Sequence, residues 1–201
     1  MIGARTTPGW AVDIAIDGDV LALADGPGGL RLFDVHDPAS PRPLGSLPVE
    51  VRAYGVALEA ASHRAFVADN TAGLLVADLS DPMSPVALGR VPTAGAVYDV
   101  AAAGDGVVWL AQADGGGPTD GGRVTLVRAA GSAGPYVEDE VRVAQRAWGA
   151  ALDGAGHAWI AATGAGVIGL GAAIADPGPT STATPPTMGQ AGRAWLPWLA
   201  R

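Results

Sequence analysis

A repeat with a period of 44 residues constrains the fold of this chain more than any other feature of its sequence. Seven elements of one segment return at that single displacement: an aspartate, a leucine, a second aspartate, Asp-Pro, Ser-Pro, Leu-Gly and a proline. The two copies are Asp25, Leu30, Asp34, Asp37-Pro38, Ser40-Pro41, Leu44-Gly45 and Pro48, and Asp69, Leu74, Asp78, Asp81-Pro82, Ser84-Pro85, Leu88-Gly89 and Pro92. Periods of roughly 20 to 50 residues are typical of solenoids, propellers and arrays, in which each repeat is one supersecondary unit.

Two weaker copies follow the first pair. The third begins at Val97 and carries a longer loop at residues 114–122, and the fourth opens at Ala147 and degrades after its third strand. Arg193-Ala194-Trp195 matches Arg52-Ala53-Tyr54 and Arg146-Ala147-Trp148, which indicates that a fifth copy starts there. We therefore predict one repeat domain over residues 1–201, with repeats at about 10–52, 53–96, 97–146 and 147–192 and a partial fifth at 193–201.

Each copy consists of short apolar or alternating runs separated by glycine, aspartate and proline, which is the pattern of strands and turns. Asp17-Gly18-Asp19 predicts a hairpin, because aspartate and glycine tolerate the positive φ of a tight turn. Asp37-Pro38 ends the third run, since proline lacks the N–H that a sheet requires. The pattern predicts an all-β, β-propeller-like fold with four recognisable four-stranded blades, either incomplete or extended by a partial fifth blade.

The motif Gly-Leu-(x)3-Asp-(x)2-Asp-Pro-(x)-Ser-Pro resembles the LVIVD repeat, whose core here spans residues 30–35 and 74–79. The resemblance covers residues 10–127 well and 147–177 weakly. It implies a β-propeller and a bacterial protein that is extracellular, periplasmic or on the cell surface. The family supplies no catalytic residues, so none are carried over to this chain.

Composition excludes several classes of function. The chain has 20 acidic and 12 basic residues and a net charge of −8, which argues against a nucleic-acid partner. All basic residues are arginine, so Schiff-base chemistry and a phosphate-loop lysine are excluded. The absence of cysteine excludes thiol catalysis, disulfides and thiolate metal sites. We expect no cofactor, no metal and no membrane insertion.

The first residues contain no apolar run of signal-peptide length. Two alternatives follow from this. Either the protein is cytoplasmic, or the chain begins downstream of its export signal.

Candidate binding residues lie where the repeat brings charges to one face. Arg52, Arg146 and Arg193 begin the first strands of their copies, on the face of the loops that hold Asp25, Asp69 and Asp114. Pairing of these arginines with these aspartates is one interpretation, and a substrate-binding arginine ring is the alternative. The loop at 114–122 breaks the period, and such insertions often line a binding face. The candidate binding residues are Asp114, Asp120, Arg52 and Arg146.

Other polar residues favour structural roles. Asp25 and Asp69 are expected to accept hydrogen bonds from turn N–H groups, and Asp37 and Asp81 to form Asx turns. The three histidines, His36, His63 and His157, occupy non-equivalent positions without metal-ligand spacing. Trp109, Trp148 and Trp159 are expected to fill the core, and Trp195 and Trp198 to be exposed.

No residue constellation points to catalysis, and no Gly-x-Ser-x-Gly elbow is present. We therefore predict a non-enzymatic protein-interaction or scaffold domain with a protein partner of unknown identity. One alternative is a carbohydrate-binding, small-ligand-binding or hydrolytic propeller that uses its axial mouth. A second alternative is a fragment of a larger propeller, whose missing blades carry the function.

Overall fold

The computed structural model describes residues 2–115, 121–130 and 134–171. These residues form antiparallel strands joined by tight turns, with one 3-10 turn at Ala60–Ser62. The strands are β1 (Asp13–Asp17), β2 (Val20–Ala24), β3 (Leu30–Asp34), β4 (Arg42–Leu47), β5 (Val56–Glu59), β6 (Arg64–Ala68), β7 (Leu74–Asp78), β8 (Val86–Val91), β9 (Ala96–Gly104), β10 (Val107–Ala113), β11 (Gly122–Arg128), β12 (Tyr136–Val143), β13 (Ala147–Leu152), β14 (Ala158–Ala162) and β15 (Gly166–Leu170).

Each sheet contains consecutive strands in chain order, so every repeat folds as one meander. Three sheets have four strands and the fourth, β13-β14-β15, has three within the described residues. The first strands of successive sheets pack against one another, β1 on β5, β5 on β9 and β9 on β13. The fold is therefore a β-propeller of four blades, as the repeat predicted. The predicted fourth strand of blade 4 and the predicted partial fifth repeat at 193–201 fall outside the described residues.

The core consists of apolar layers between neighbouring blades, one layer for each junction. We call the face of a blade that packs on the preceding blade its back face, and the opposite one its front face. Alternation along a strand supplies both faces: in β6, Val67 contacts blade 1 and Phe66 contacts blade 3, and both are fully buried. A blade inside the propeller is thus apolar on both sides.

The repeated Asp-Pro and Leu-Gly motifs tie the outer edges of the blades together. Asp37 and Asp81 each accept a hydrogen bond from the backbone N–H two residues ahead at 3.0 Å, which confirms the predicted Asx turns. The N–H of Gly45 in blade 1 donates to the carbonyl of Pro82 in blade 2 at 2.8 Å. A Cβ on Gly45 would collide with Pro85, so the proline of blade 2 packs in the space left by the absent side chain of blade 1.

Candidate functional site

Two buried carboxylates hold the segments that enter blades 1 and 2. Asp69, which is fully buried, accepts hydrogen bonds from the backbone N–H groups of residues 50, 51 and 52 at 2.7 to 2.9 Å. Asp25 accepts from the hydroxyl of Thr7 at 2.6 Å and the N–H of Gly9 at 3.0 Å. The predicted acceptor role is confirmed, but the donors belong to the entering segment rather than to the glycine turn.

The arginine partners of these carboxylates differ from the predicted ones. Arg31 bonds Asp25 at 2.9 Å from β3, whereas Arg90 bonds Asp69 at 2.6 Å from β8. Within the described residues, neither Arg52 nor Arg146 forms a salt bridge with an acid. The predicted pairing of these two arginines with the turn aspartates is therefore wrong. Arg52 reaches Asp69 through its backbone N–H, and the side-chain partner of Asp69 is Arg90 on the outer strand β8.

Blade 3 departs from this arrangement. The strand registers place Gln112, fully buried, at the position that Asp25 and Asp69 occupy in their blades. Its amide donates to Thr125, whose hydroxyl faces Glu140. Asp114 lies two residues further along, because the β10–β11 hairpin is longer, and it bonds Arg123 near the surface. Asp114 therefore lies in the hairpin that corresponds to those of Asp25 and Asp69, but not at their buried position.

Aromatic rings and arginines gather where the chain enters the innermost strands. Tyr54, Tyr98 and Trp148 occupy equivalent positions in blades 2, 3 and 4. Tyr54 meets Tyr98 edge-on at 5.2 Å between ring centroids, and Tyr98 meets Trp148 at 4.4 Å. The guanidinium of Arg52 lies 5.2 Å from the ring centroid of Trp10.

Arg146 completes this group. Its guanidinium lies 5.6 Å from the ring of Trp148 and donates to the carbonyl of Gly115 at 2.8 Å. We call the set the aromatic–arginine cluster. It consists of Trp10, Arg52, Tyr54, Tyr98, Arg146 and Trp148.

The cluster is partly open to solvent. Trp10 is 61% exposed and Trp148 is 43% exposed, so the prediction that Trp148 fills the core is wrong. The same prediction is wrong for Trp159, which is 37% exposed, and right for the buried Trp109. Sequence reasoning missed the tyrosines, although their spacing of 44 residues and their place after the Arg-Ala of blade 2 could have revealed them.

Two acids of the innermost strands, Asp13 and Asp99, occupy the same position of blades 1 and 3. The Asp13 carboxylate accepts from the N–H of Val56 and the Asp99 carboxylate from that of Ala150, both at 2.9 Å. Burial raises the pKa of Asp99, although two backbone N–H groups oppose the shift. Each acid therefore fastens its blade to the next one.

Three of the candidate residues are placed by the structure, and the fourth, Asp120, lies outside the described residues. Arg146 contacts the carbonyl beside Asp114, whereas Arg52 lies over Trp10. Arg193, Trp195 and Trp198 also lie outside the described residues. Two histidines pair with aspartates: the His36 ring contacts Asp19 at 3.1 Å and the His157 ring contacts Asp153 at 2.8 Å.

Two shallow cavities occur in the described part of the chain, with volumes of 80 and 210 Å³. Both are smaller than the roughly 300 Å³ at which small-molecule pockets begin. Across residues 2–115, 121–130 and 134–171, the metal-binding residue types form no group of three or more. The same residues include no helix long and apolar enough to cross a membrane.

Comparisons with known proteins agree with this architecture. The family model described as the LVIVD repeat matches residues 8–47 and 64–93, which lie in blades 1 and 2. No curated protein matches the chain. The crystal structure of the computationally designed Ika4 protein is similar, with a TM-score of 0.60 and 10% identity over 83% of this chain and 95% of that one.

The crystal structure of the WD40 β-propeller domain of Doa1 is also similar, with a TM-score of 0.56 and 14% identity. The match covers 78% of this chain and 49% of the Doa1 chain, so this chain spans about half the length of that propeller. At these identities the likeness concerns the fold alone.

Proposed function

We propose that this domain is a non-enzymatic protein-interaction propeller of a bacterial exported or cell-surface protein, and that its partner binds the aromatic–arginine cluster. The observation that carries the proposal is the exposure of two tryptophans, each beside an arginine: Trp10 beside Arg52, and Trp148 beside Arg146. All four residues lie where the chain enters the innermost strands, an edge that we call the rim. Tryptophan, tyrosine and arginine are enriched among the residues that dominate the binding energy of protein interfaces, and the two aromatic residues bury a large area at a small cost in conformational entropy.

The rigidity of the rim supports this proposal. The segment that carries Arg52 is fixed by three N–H bonds to the buried Asp69, and Asp69 is fixed in turn by Arg90. A preorganised surface loses little entropy when a partner binds. The aromatic rings of blades 2, 3 and 4 also contact one another, so they present one continuous surface.

A second candidate is carbohydrate binding at the same rim. Exposed aromatic faces stack on sugar rings as well as on protein side chains, and Trp148 already donates from its indole N–H to Thr163 at 2.7 Å, which fixes its orientation. Hydrolysis at the axial mouth has less support, because the axial carboxylates of Asp13 and Asp99 are engaged by backbone N–H groups.

The proposed location rests on the LVIVD resemblance of the first two blades. Protease treatment of intact host cells tests it, with an antibody against the chain as the readout. Loss of the signal without cell lysis supports surface exposure. Survival of the signal both in intact cells and in cells with only the outer membrane permeabilised contradicts an exported location.

The experiment for the binding role is selection of a displayed random-peptide library on the immobilised full chain. Trp10→Ala and Arg52→Ala are expected to weaken selected peptides by about tenfold or more, as for interface hot spots. Tyr136→Ala is the matched control, because Tyr136 is an exposed aromatic residue on the outer strand β12.

Peptides that bind equally to all variants would contradict the proposed site. A glycan array probed with the same variants separates the second candidate from the first. Glycan binding that depends on Trp10 and Trp148, without peptide binding, would replace protein by carbohydrate as the ligand class.

A further inference from the structure

The propeller of the described residues has two open ends. The back face of blade 1 exposes Ile14 and Ile16, which are 56% and 57% accessible. The front face of blade 4 exposes Trp159 and Val167, which are 37% and 69% accessible. Among the described strands, β1 packs on β2 and β5, and β13 packs on strands of blades 3 and 4. Among the described residues, blades 1 and 4 therefore present apolar sheet faces that are only partly covered: Ile14 and Ile16 are exposed on the back of blade 1, whereas Leu23 and Phe33 on the same face are buried.

These two faces are the two halves of a blade junction. The strand registers make Ile14 equivalent to Val56 and Val100, each 4% exposed on a back face. Trp159 is equivalent to Phe66 and Trp109, which are 0% and 7% exposed on front faces. In blades 2 and 3 these equivalent residues are buried at a junction with a neighbouring blade, so each open face carries apolar side chains like those of an interior junction.

The segment before blade 1 makes the contacts that an interior blade receives from the blade before it. A Cβ on Gly3 would collide with the carbonyl oxygen of Pro38, in the way that a Cβ on Gly45 would approach the carbonyl oxygen of Pro82 at 2.7 Å. Thr7 and Gly9 then bond Asp25, as residues 50–52 bond Asp69. The back side of blade 1 therefore has contacts like those of an interior blade with the preceding blade.

The innermost strands add a pattern with a period of two blades. Asp13 and Asp99 occupy one position in blades 1 and 3, and Gly55 and Gly149 occupy it in blades 2 and 4. At the junction of blades 2 and 3, a Cβ on Gly55 would lie 2.8 Å from the Cα of Asp99. A junction between blade 4 and blade 1 would place Gly149 against Asp13, which repeats the pairing of that interior junction.

We propose that a second copy of this chain covers both open faces. The back face of blade 1 in each copy packs on the front face of blade 4 in the other, and two four-blade arcs form one eight-blade ring. The contact joins two different surfaces, so it forms a closed ring only if the rotation from one copy to the next adds up to a full turn. With two copies, the two identical contacts are related by a two-fold axis. Eight blades lie within the usual range of propellers.

The occupant is a second copy because the two faces belong to the same repeat. Each copy supplies one back face and one front face, so no surface is left over after closure. The chain's match to about half the length of a WD40 propeller domain fits an arc of half a ring. The proposal goes beyond the binding role of the rim, because it concerns the flat sides of the terminal blades.

Light scattering coupled to size-exclusion chromatography tests the proposal on the full chain at about 1 to 100 μM, since dimer stability depends on concentration. The expected mass is twice that of the 19.9-kDa chain. Ile14→Lys and Val167→Glu each place a charge in both junctions of a homodimer and are expected to be monomeric. Val86→Glu is the matched control, because Val86 is 58% exposed on an outer strand.

Mixing the two variants provides a second measurement. A mixed dimer has one unaltered junction and one that carries opposite charges, so the mixture is expected to regain the double mass. A monomeric wild-type chain, a dimer that both charged variants leave intact, or a mixture that stays monomeric would each overturn the proposal. An open series of larger species would also overturn it, because closure by one copy allows none.

Discussion

The junction between blades 2 and 3 and the front face of blade 4 use the same positions to opposite effect. Phe66 is fully buried in the first, whereas Trp159, at the equivalent position of the second, is 37% exposed. The strand pairing around both residues is the same. The repeat therefore determines which side chains a face presents, and only a neighbouring blade determines whether they are buried.

The largest expected effect comes from emptying the interior junction. Phe66→Ala should lower the free energy of unfolding by about 3–5 kcal/mol, because it removes a large buried ring and leaves a cavity. Urea unfolding measures this. Trp159→Ala should cost much less in dilute protein, and its cost should grow with concentration if a second copy covers it.

A similar contrast separates Asp69 from Asp114. Asp69→Ala removes the acceptor for three backbone N–H groups and the buried partner of Arg90, which keeps only the exposed Glu50, so we expect a loss of about 3 kcal/mol. Asp114→Ala should change stability by less than about 1 kcal/mol, since it breaks one ion pair near the surface. Equal thermal shifts for the two variants would show that Asp69 is not the holder of the entering segment.

Alanine substitutions at the two outer-edge glycines should destabilise the protein to different degrees, because the two interior junctions pack with different tightness. Gly45→Ala should destabilise by about 1–3 kcal/mol, because its Cβ would overlap Pro85 and the strand must shift. Gly89→Ala should cost less, since its Cβ would lie 3.0 Å from Pro135, a contact that a small movement relieves. Denaturant midpoints of the two variants compare them directly, and a larger loss for Gly89→Ala would contradict the assigned contacts.

The smallest effects are two pH dependences of opposite sign. Burial raises the pKa of Asp99 at the junction of blades 3 and 4, so its ionisation opposes folding and stability falls as pH rises above its ordinary value near 3.8. Hydrogen bonds from His157 lower the pKa of Asp153 in blade 4, so its contribution is present above the ordinary pKa and is lost as pH falls below it.

Unfolding free energies of Asp99→Asn and Asp153→Asn, measured from acid to neutral pH against the wild type, separate these signs. The wild type should lose stability relative to Asp99→Asn as pH rises. It should lose stability relative to Asp153→Asn as pH falls. The same sign for both pairs would contradict the burial of Asp99.

The sequence predicted the blades because their signals are local. Asp-Pro turns and glycine hairpins specify the strand ends, and the period of 44 residues specifies the length of a blade. The first two blades follow both signals closely. The arginine partners escaped prediction because Arg31 and Arg90 reach equivalent aspartates from different strands. The role of Gln112 was not predicted, because the longer β10–β11 hairpin puts Asp114 beyond the position that Asp25 and Asp69 occupy in their blades.

The open ends were equally beyond the sequence. Whether a face is covered depends on the curvature accumulated over several junctions, and no single repeat encodes that quantity. The sequence could only leave a complete ring and a fragment as alternatives. The exposure of Ile14 and Val167 distinguishes an open arc from a closed four-blade ring within the described residues.

Cross-linking tests this account most directly. In the proposed ring, a junction equivalent to the one that joins Ala150 to Asp99 would place Ile14 of one copy beside Gly149 of the other. The chain has no native cysteine, so the double variant Ile14→Cys, Gly149→Cys carries the only thiols. A short bismaleimide should join two chains through these sites. The control is the single variant Val86→Cys, whose cysteine lies on the outer strand β8, and the reagent should not join two chains of it. A link within a single chain, or no link at all, would contradict closure of the propeller by a second copy.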